Sequence, residues 1–184
     1  MNILLDMDGV LADFYGHWLK VAGRESLIKD WPLGEPSISK VASISLFEFW
    51  EITVLPDFWY DIPKLPWFDD LINLVRKFGI FTICSDPGPY PNAASQKIRW
   101  LKKYLGMRFD DYMLGPLKYL MAGNGILIDD SDENINAFKA HGGQAILFPA
   151  CTNSNWPMTT DRLGYVREKL LLYSGRQCNA CTRA

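Results

Sequence analysis

Ile3-Leu4-Leu5-Asp6-Met7-Asp8-Gly9-Val10-Leu11 is the stretch that decides the fold. Three apolar residues run into two acids one residue apart and then a glycine. That is a short strand ending in a carboxylate-bearing turn. The apolar run is continuous rather than alternating, as suits a strand buried on both faces of a parallel sheet. Three further runs repeat it: Ile80-Phe81-Thr82-Ile83-Cys84, Ile126-Leu127-Ile128 and Ala145-Ile146-Leu147-Phe148. Helical spacing fills the gaps. Leu71, Leu74, Val75 and Phe78 share a face before Gly79, as do Ile98, Leu101, Tyr104 and Leu105 before Gly106. Ile135, Ala137, Phe138 and Ala140 form a third pattern before Gly142 and Gly143. Glycine after the last periodic residue is a helix stop. Strands alternating with helices predict an α/β protein with a doubly wound, mainly parallel sheet.

The stretch from Tyr15 to Trp67 breaks the alternation. It carries five prolines (Pro32, Pro36, Pro56, Pro63, Pro66), a helical opening at His17 to Val21 and a second helical pattern from Ile44 to Ile52. It is too long for a simple crossover and reads as a small helical cap inserted after the first strand. The expected division is therefore a core of residues 1–14 and 68–184 and a cap of residues 15–67. From Ser174 the chain has no periodicity and is expected to fray.

The chain has 184 residues, 48% hydrophobic and 22% charged, which argues against long disorder. A chain this long buries about 70% of its unfolded surface without needing disulfides or a structural metal. Nineteen basic residues against 21 acidic ones leave a net charge of −2. That balance gives no sign of nucleic-acid binding or of a polybasic membrane surface. The apolar runs are too short to span a bilayer, and the N-terminal residues lack the pattern of a signal peptide. A cytoplasmic protein is expected, with a monomer and a homodimer both open. Cys84 sits inside an apolar strand as a small hydrophobe, and Cys178 and Cys181 form a lone CxxC without further zinc ligands.

In an open parallel sheet, ligands bind outside the carboxyl ends of the strands. The first run is followed by Asp6 and Asp8, the second by Ser85 and Asp86, and the third by Asp129 and Asp130. Clustered carboxylates raise one another's pKa unless a cation sits among them. Mg²⁺, a hard cation that takes oxygen ligands and a substrate phosphate, fits that cluster.

These residues carry a family resemblance. Asp-Met-Asp-Gly-Val-Leu directly after a short N-terminal strand resembles motif I of the haloacid dehalogenase-like (HAD) phosphatase superfamily. Ser85 is similar to motif II, Asp129 and Asp130 after Ile-Leu-Ile to motif IV, and Lys118, eleven residues before Asp129, to the motif III lysine. Lys97, Lys102 and Lys103 are alternatives for that lysine. The resemblance narrows to the 5′(3′)-deoxyribonucleotidases through residues 6–14, 81–85, 127–130 and 147–153, and through Phe58-Trp59-Tyr60 before Leu65-Pro66. The sequence departs from that group at Asp86, where a small or hydroxyl residue is usual beside the phosphate.

The resemblance implies a HAD-like Rossmannoid core and a Mg²⁺-dependent phosphomonoester hydrolase acting on (deoxy)nucleoside monophosphates. Asp6 would be the nucleophile that forms an aspartyl-phosphate, and Asp8 the general acid and base. Asp6, the Asp8 backbone carbonyl, Asp129 and Asp130 would hold the metal. Ser85 and Lys118 would bind the transferring phosphoryl group. Phe14, Trp59 and Trp31 would wall the base, with Asp86 beside the substrate. Plainer readings exist for several of these: Asp-Asp-Ser is good helix-capping chemistry, Ser85 can start a turn before Pro87, and the rings can be cap core. Two functions compete with the leading one. The same core could act on another phosphate ester, a nucleic-acid 3′-phosphate or a sugar phosphate, or it could be a non-catalytic nucleotide-binding protein.

Overall fold

The computed structural model describes residues 1–156 and 161–175; the expected fraying beyond Gly175 and the Cys178 and Cys181 pair lie outside them. Five strands form one sheet: β1 (Asn2–Leu5), β2 (Ile80–Ser85), β3 (Tyr112–Leu114), β4 (Ile126–Asp129) and β5 (Gln144–Leu147). They are parallel throughout, in the order β3-β2-β1-β4-β5. Leu5 pairs with Ile83 on one side and Ile128 on the other, so the polar residues that follow each strand emerge along one edge.

The continuous apolar runs are explained by two buried faces. Ile3, Leu5, Ile83, Ile128 and Ile146 pack with Phe68, Leu71 and Val75 of α4 (Phe68–Arg76), Trp100 and Leu101 of α5 (Pro91–Leu105) and Val166 and Leu170 of α7 (Arg162–Tyr173). Leu4, Cys84, Leu127 and Ala145 face the other way, against Ile135 and Phe138 of α6 (Asp132–Ala140). Helices therefore cover both sides of the sheet. Each fully buried Leu or Ile contributes roughly 1.5–3 kcal/mol relative to exposure, so neither face tolerates a polar intrusion.

Three features depart from the sequence reading. β3 is absent from it, because Tyr112-Met113-Leu114 is only three residues long and only partly buried. So is α7, whose only buried side chains are Val166 and Leu170, one turn apart. Gly79 does end the α4 region, but not as a left-handed cap: a Cβ there would collide with the Met1 backbone where β1 begins. Gly106 and Gly142 do have positive φ, at 110° and 82°.

Between β1 and α4 the chain runs through short helical elements: α1 (Phe14–Val21), a 3₁₀ turn at Glu25–Ile28, α2 (Ile38–Val41) and α3 (Leu46–Thr53). Local chemistry fixes their ends. Asp13 accepts the Gly16 N–H at the start of α1, and Ser45 with Glu48 forms a reciprocal capping box on α3. The Trp18 indole N–H donates to the Phe49 carbonyl and pins α1 to α3. Departure and return lie side by side. Asp13 N–H donates to Pro63 O, and Leu65 N–H donates to Leu11 O, both at 2.8 Å. This pairing places the helical stretch over the carboxyl ends of the strands.

Candidate active site

Asp6 follows the central strand and its N–H donates to Ile128 O at 2.9 Å. Its carboxylate meets the Lys118 ammonium at 2.7 Å, and Lys118 reaches Asp129 at 2.6 Å. Asp129 is fully buried and well served: the Ser131 N–H and the Asn134 amide also donate to it. Asp130 is held through its main chain, whose carbonyl accepts the Asn153 amide. Gly9, at φ 74°, passes directly under the Asp130 carboxylate, where any Cβ would collide with it. Glycine is therefore required there on two counts.

A second group lies beside the first. Lys97 on α5 is fully buried and pairs with the Asp8 carboxylate; it also donates to Ser85 Oγ at 3.0 Å and to the Asp86 carbonyl. Asp8 Oδ2 carries the ion pair, while Asp8 Oδ1 is buried with no hydrogen-bond partner among the described residues.

The electrostatics follow from burial. Burial first, then the charge of Asp129, pushes Asp6 up to about 7, against the pull of Lys118. Burial and the charges of Asp6 and Asp129 push Asp130 well above the usual carboxylate range. Burial alone would lower Lys118, but Asp6 and Asp129 outweigh it and hold the ammonium well above its ordinary value. Burial raises the Cys84 thiol to about 11, in keeping with an apolar core role.

Oxygens of Asp6, Asp129 and Asp130 lie within 4.8 Å of one another. Among the described residues no donor meets the Asp130 carboxylate. Four carboxylates, counting Asp8, stand against two ammonium groups. A divalent hard cation would match that excess of two carboxyl groups and let the buried cluster ionise.

A cavity of about 270 Å³ opens above this floor, lined by Asp6, Asp8, Asp130 and Asp86 together with Phe14, Tyr15, Phe49, Trp50 and Trp59. Trp31, expected as a third wall, does not line it. Its indole N–H donates to Glu35 O at 2.9 Å and its ring packs edge-on against Tyr15, so it braces the helical stretch between β1 and α4 from behind. Tyr15, Phe49 and Trp50 take the place expected of it. Trp59 does line the cavity but is 3% exposed, stacked on Phe14 with ring centres 5.3 Å apart. Of the four lysines weighed for that role, two reach the carboxylates, Lys118 on Asp6 and Lys97 on Asp8, whereas Lys103 lies over the rings of Tyr60 and Tyr104. A larger groove of about 600 Å³ between α4 and α7 holds none of these residues.

A HAD family hydrolase from Deinococcus radiodurans R1, crystallised with bound phosphate and sodium, shares this fold at a TM-score of 0.52. It is 14% identical, and the match covers 96% of this chain and 97% of that one. That likeness places the protein in a fold class, the α/β Rossmann-like core. Within that class, residues 1–162 match the family described as 5′ nucleotidase, deoxy (pyrimidine), cytosolic type C protein, and the chain belongs to this family of phosphoric monoester hydrolases. The human cytosolic 5′(3′)-deoxyribonucleotidase is 26% identical over 89% of this chain and 88% of its own length. The human mitochondrial 5′(3′)-deoxyribonucleotidase is 24% identical over 88% of this chain and 76% of its own.

Proposed function

We propose that the protein removes phosphate from deoxyribonucleoside monophosphates through an aspartyl-phosphate on Asp6, in a Mg²⁺-dependent reaction. The observation that carries this is the buried cluster of Asp6, Asp129 and Asp130 at the foot of an aromatic-walled cavity, with Asp8 and Lys97 beside it. Asp6, the Asp8 carbonyl, Asp129 and Asp130 would hold the cation. When bound, it neutralises charge between the carboxylates and the incoming phosphate.

In the first half-reaction an Asp6 oxygen attacks phosphorus as the ester P–O bond breaks. Asp8 gives its proton to the departing nucleoside oxygen. In the second half-reaction water attacks the aspartyl-phosphate, Asp8 takes the water proton, and phosphate leaves with Asp6 restored. The free Oδ1 of Asp8 suits this traffic, since Oδ2 is occupied by Lys97. Ser85 supplies a donor for the phosphoryl oxygens; Lys97, whose three N–H groups are taken by Asp8, Ser85 and the Asp86 carbonyl, positions that acid and hydroxyl, and Lys118 keeps the Asp6–Asp129 pair compatible with burial.

Residues 15–67 would act as the cap that selects substrate. Phe14, Tyr15, Phe49 and Trp50 offer ring surface to a nucleobase, and Trp59 backs Phe14. The small volume favours a mononucleotide over a nucleic-acid end. No helix among the described residues is long and apolar enough to cross a membrane, and a cytoplasmic place of action goes with this reading.

Phosphate release from a panel of 5′- and 3′-deoxyribonucleotides, ribonucleotides, sugar phosphates and 3′-phosphorylated oligonucleotides, with Mg²⁺, tests it. Preference for deoxyribonucleoside monophosphates is expected. Higher kcat/KM on sugar phosphates or on oligonucleotide ends would replace the reading.

A further inference from the structure

Asp86 is the one acid of the cavity that the chemistry above does not use. It follows Ser85 at the end of β2 and is exposed, whereas Asp6 and Asp130 at the floor are buried. All three line one cavity, so Asp86 stands at its mouth. Its Oδ1 accepts the Gly88 N–H at 2.8 Å, which closes a small side-chain turn and fixes the carboxylate. Gly88 in turn lies against the Trp50 ring. Lys97 takes the carbonyl of Asp86, not its carboxylate, and among the described residues no cation pairs with that carboxylate.

Resting on the phosphatase reading above, we propose that Asp86 is a charge filter that sets how many phosphates an accepted substrate carries. The cations of the site all lie at the floor: Lys97, Lys118 and the place for a divalent ion. The phosphoryl group that reacts sinks to them and is neutralised there. A second phosphate on the same ligand cannot share the floor and is left at the mouth, facing an unpaired carboxylate. Monophosphates pass; nucleoside bisphosphates and diphosphates are repelled. At a separation of several ångströms in a half-solvated site, one such repulsion changes affinity by roughly tenfold. Salt should weaken it, because the mouth is open to solvent.

The test is the ratio of kcat/KM for thymidine 5′-monophosphate over thymidine 3′,5′-bisphosphate, for wild type, Asp86→Asn and Asp86→Ser, at low and high ionic strength. Asn keeps an oxygen for the Gly88 N–H, and circular dichroism checks both folds. The expected result is a ratio that falls roughly tenfold in both variants at low salt, with wild type approaching the variants at high salt. A ratio within twofold of wild type in both variants overturns the filter, as does a change of equal size at both ionic strengths, which would be steric. A wild type that hydrolyses p-nitrophenyl phosphate but no nucleotide removes the nucleotidase reading alone. The filter is then read from competition against p-nitrophenyl phosphate by fructose 6-phosphate and fructose 1,6-bisphosphate. A bisphosphate that gains roughly tenfold on the monophosphate in both variants at low salt supports it there, and an unchanged ratio overturns it.

Discussion

Lys97 and Asp8 form an ion pair between residues 89 apart in the chain, the lysine fully buried and the acid facing the cavity. One helix, α5, thereby orients the acid that follows β1 and the hydroxyl that ends β2. The same helix holds the cap: Gln96 accepts the Trp59 N–H at 2.9 Å, and the Lys97 ammonium lies 4.5 Å from the centre of the Trp59 ring. The placement of Asp8 and Ser85 and that of the helical stretch between β1 and α4 are mechanically joined through two adjacent residues.

Lys97→Met is therefore expected to lower kcat by about 10²–10³, because Asp8 and Ser85 lose the ammonium that positions them and a misplaced general acid forfeits about that much. KM for p-nitrophenyl phosphate should rise as well. Steady-state kinetics on a variant shown to be folded checks it, and a kcat within fivefold of wild type would take Lys97 out of the reaction.

Lys118→Met should fail differently. It leaves Asp6 and Asp129 buried without their cation, and breaking a buried pair by removing one partner costs about 3–5 kcal/mol. Thermal unfolding in the absence of metal should show a large loss, partly restored by Mg²⁺. An unchanged melting temperature would mean that the acids are neutral and the ion pair idle.

The raised pKa of Asp6 makes a signed prediction for the metal-free protein. Its folded value of about 7 lies above the ordinary 3.8, so between these the folded state holds a proton that the unfolded state has released. Stability from this group is full below about pH 4, declines as pH rises through 4 to 7, and is flat above that. Asp6→Asn removes the titration and abolishes turnover. Urea unfolding of the chelated protein across pH 4–8 should show the decline in wild type and a shallower one in Asp6→Asn, where Asp130, raised by the same burial, still contributes. Parallel curves would contradict it.

The legible part of the site follows from chain position. Asp6, Asp8, Ser85, Asp129 and Asp130 each stand where an apolar run turns polar, and parallel register alone brings such positions to one edge. The structure gathers them there. Lys97 is only one of several candidate lysines in the sequence, because a single inward lysine in an amphipathic helix looks like its neighbours Lys102 and Lys103 until the packing is known. Phe49 and Trp50 are hidden for a similar reason. They sit on α3, whose helical pattern is visible but whose inward face depends on how the cap folds over the sheet. Trp31 shows the converse: an aromatic in the right segment braces the cap instead of lining the site.

Metal should act on stability as well as on rate. A cation that binds only the folded state stabilises it by RT ln(1 + [L]/Kd), about 2.7 kcal/mol at a hundredfold excess over Kd. Excess chelator is expected to stop turnover, and Mg²⁺ to restore it while raising the melting temperature. Asp130→Asn should lose most of that rise. Full activity in chelator would remove the acids from a metal role.

Base recognition is expected of the rings that remain accessible. Trp59, at 3% exposure, has little surface left for a ligand, and its substitution should disturb Phe14 and Lys97 together, harming all substrates alike. Phe49 differs. It lines the cavity, is half-buried, and lies edge-on to Phe14 with ring centres 6.2 Å apart, so it can present a face to a flat ligand. Stacking of a base on an aromatic ring is worth about 1–3 kcal/mol. Phe49→Leu keeps apolar bulk against Trp18 and should therefore raise KM for thymidine 5′-monophosphate by roughly 5- to 150-fold, the factors equivalent to that energy. KM for p-nitrophenyl phosphate should move by less than about threefold, because Phe49 lies among the cap aromatics and not in the carboxylate cluster that would take its phosphate. Equal increases on both substrates would assign Phe49 to holding the cap together, since a ring that only buttresses the cap cannot distinguish a nucleotide from a small ester.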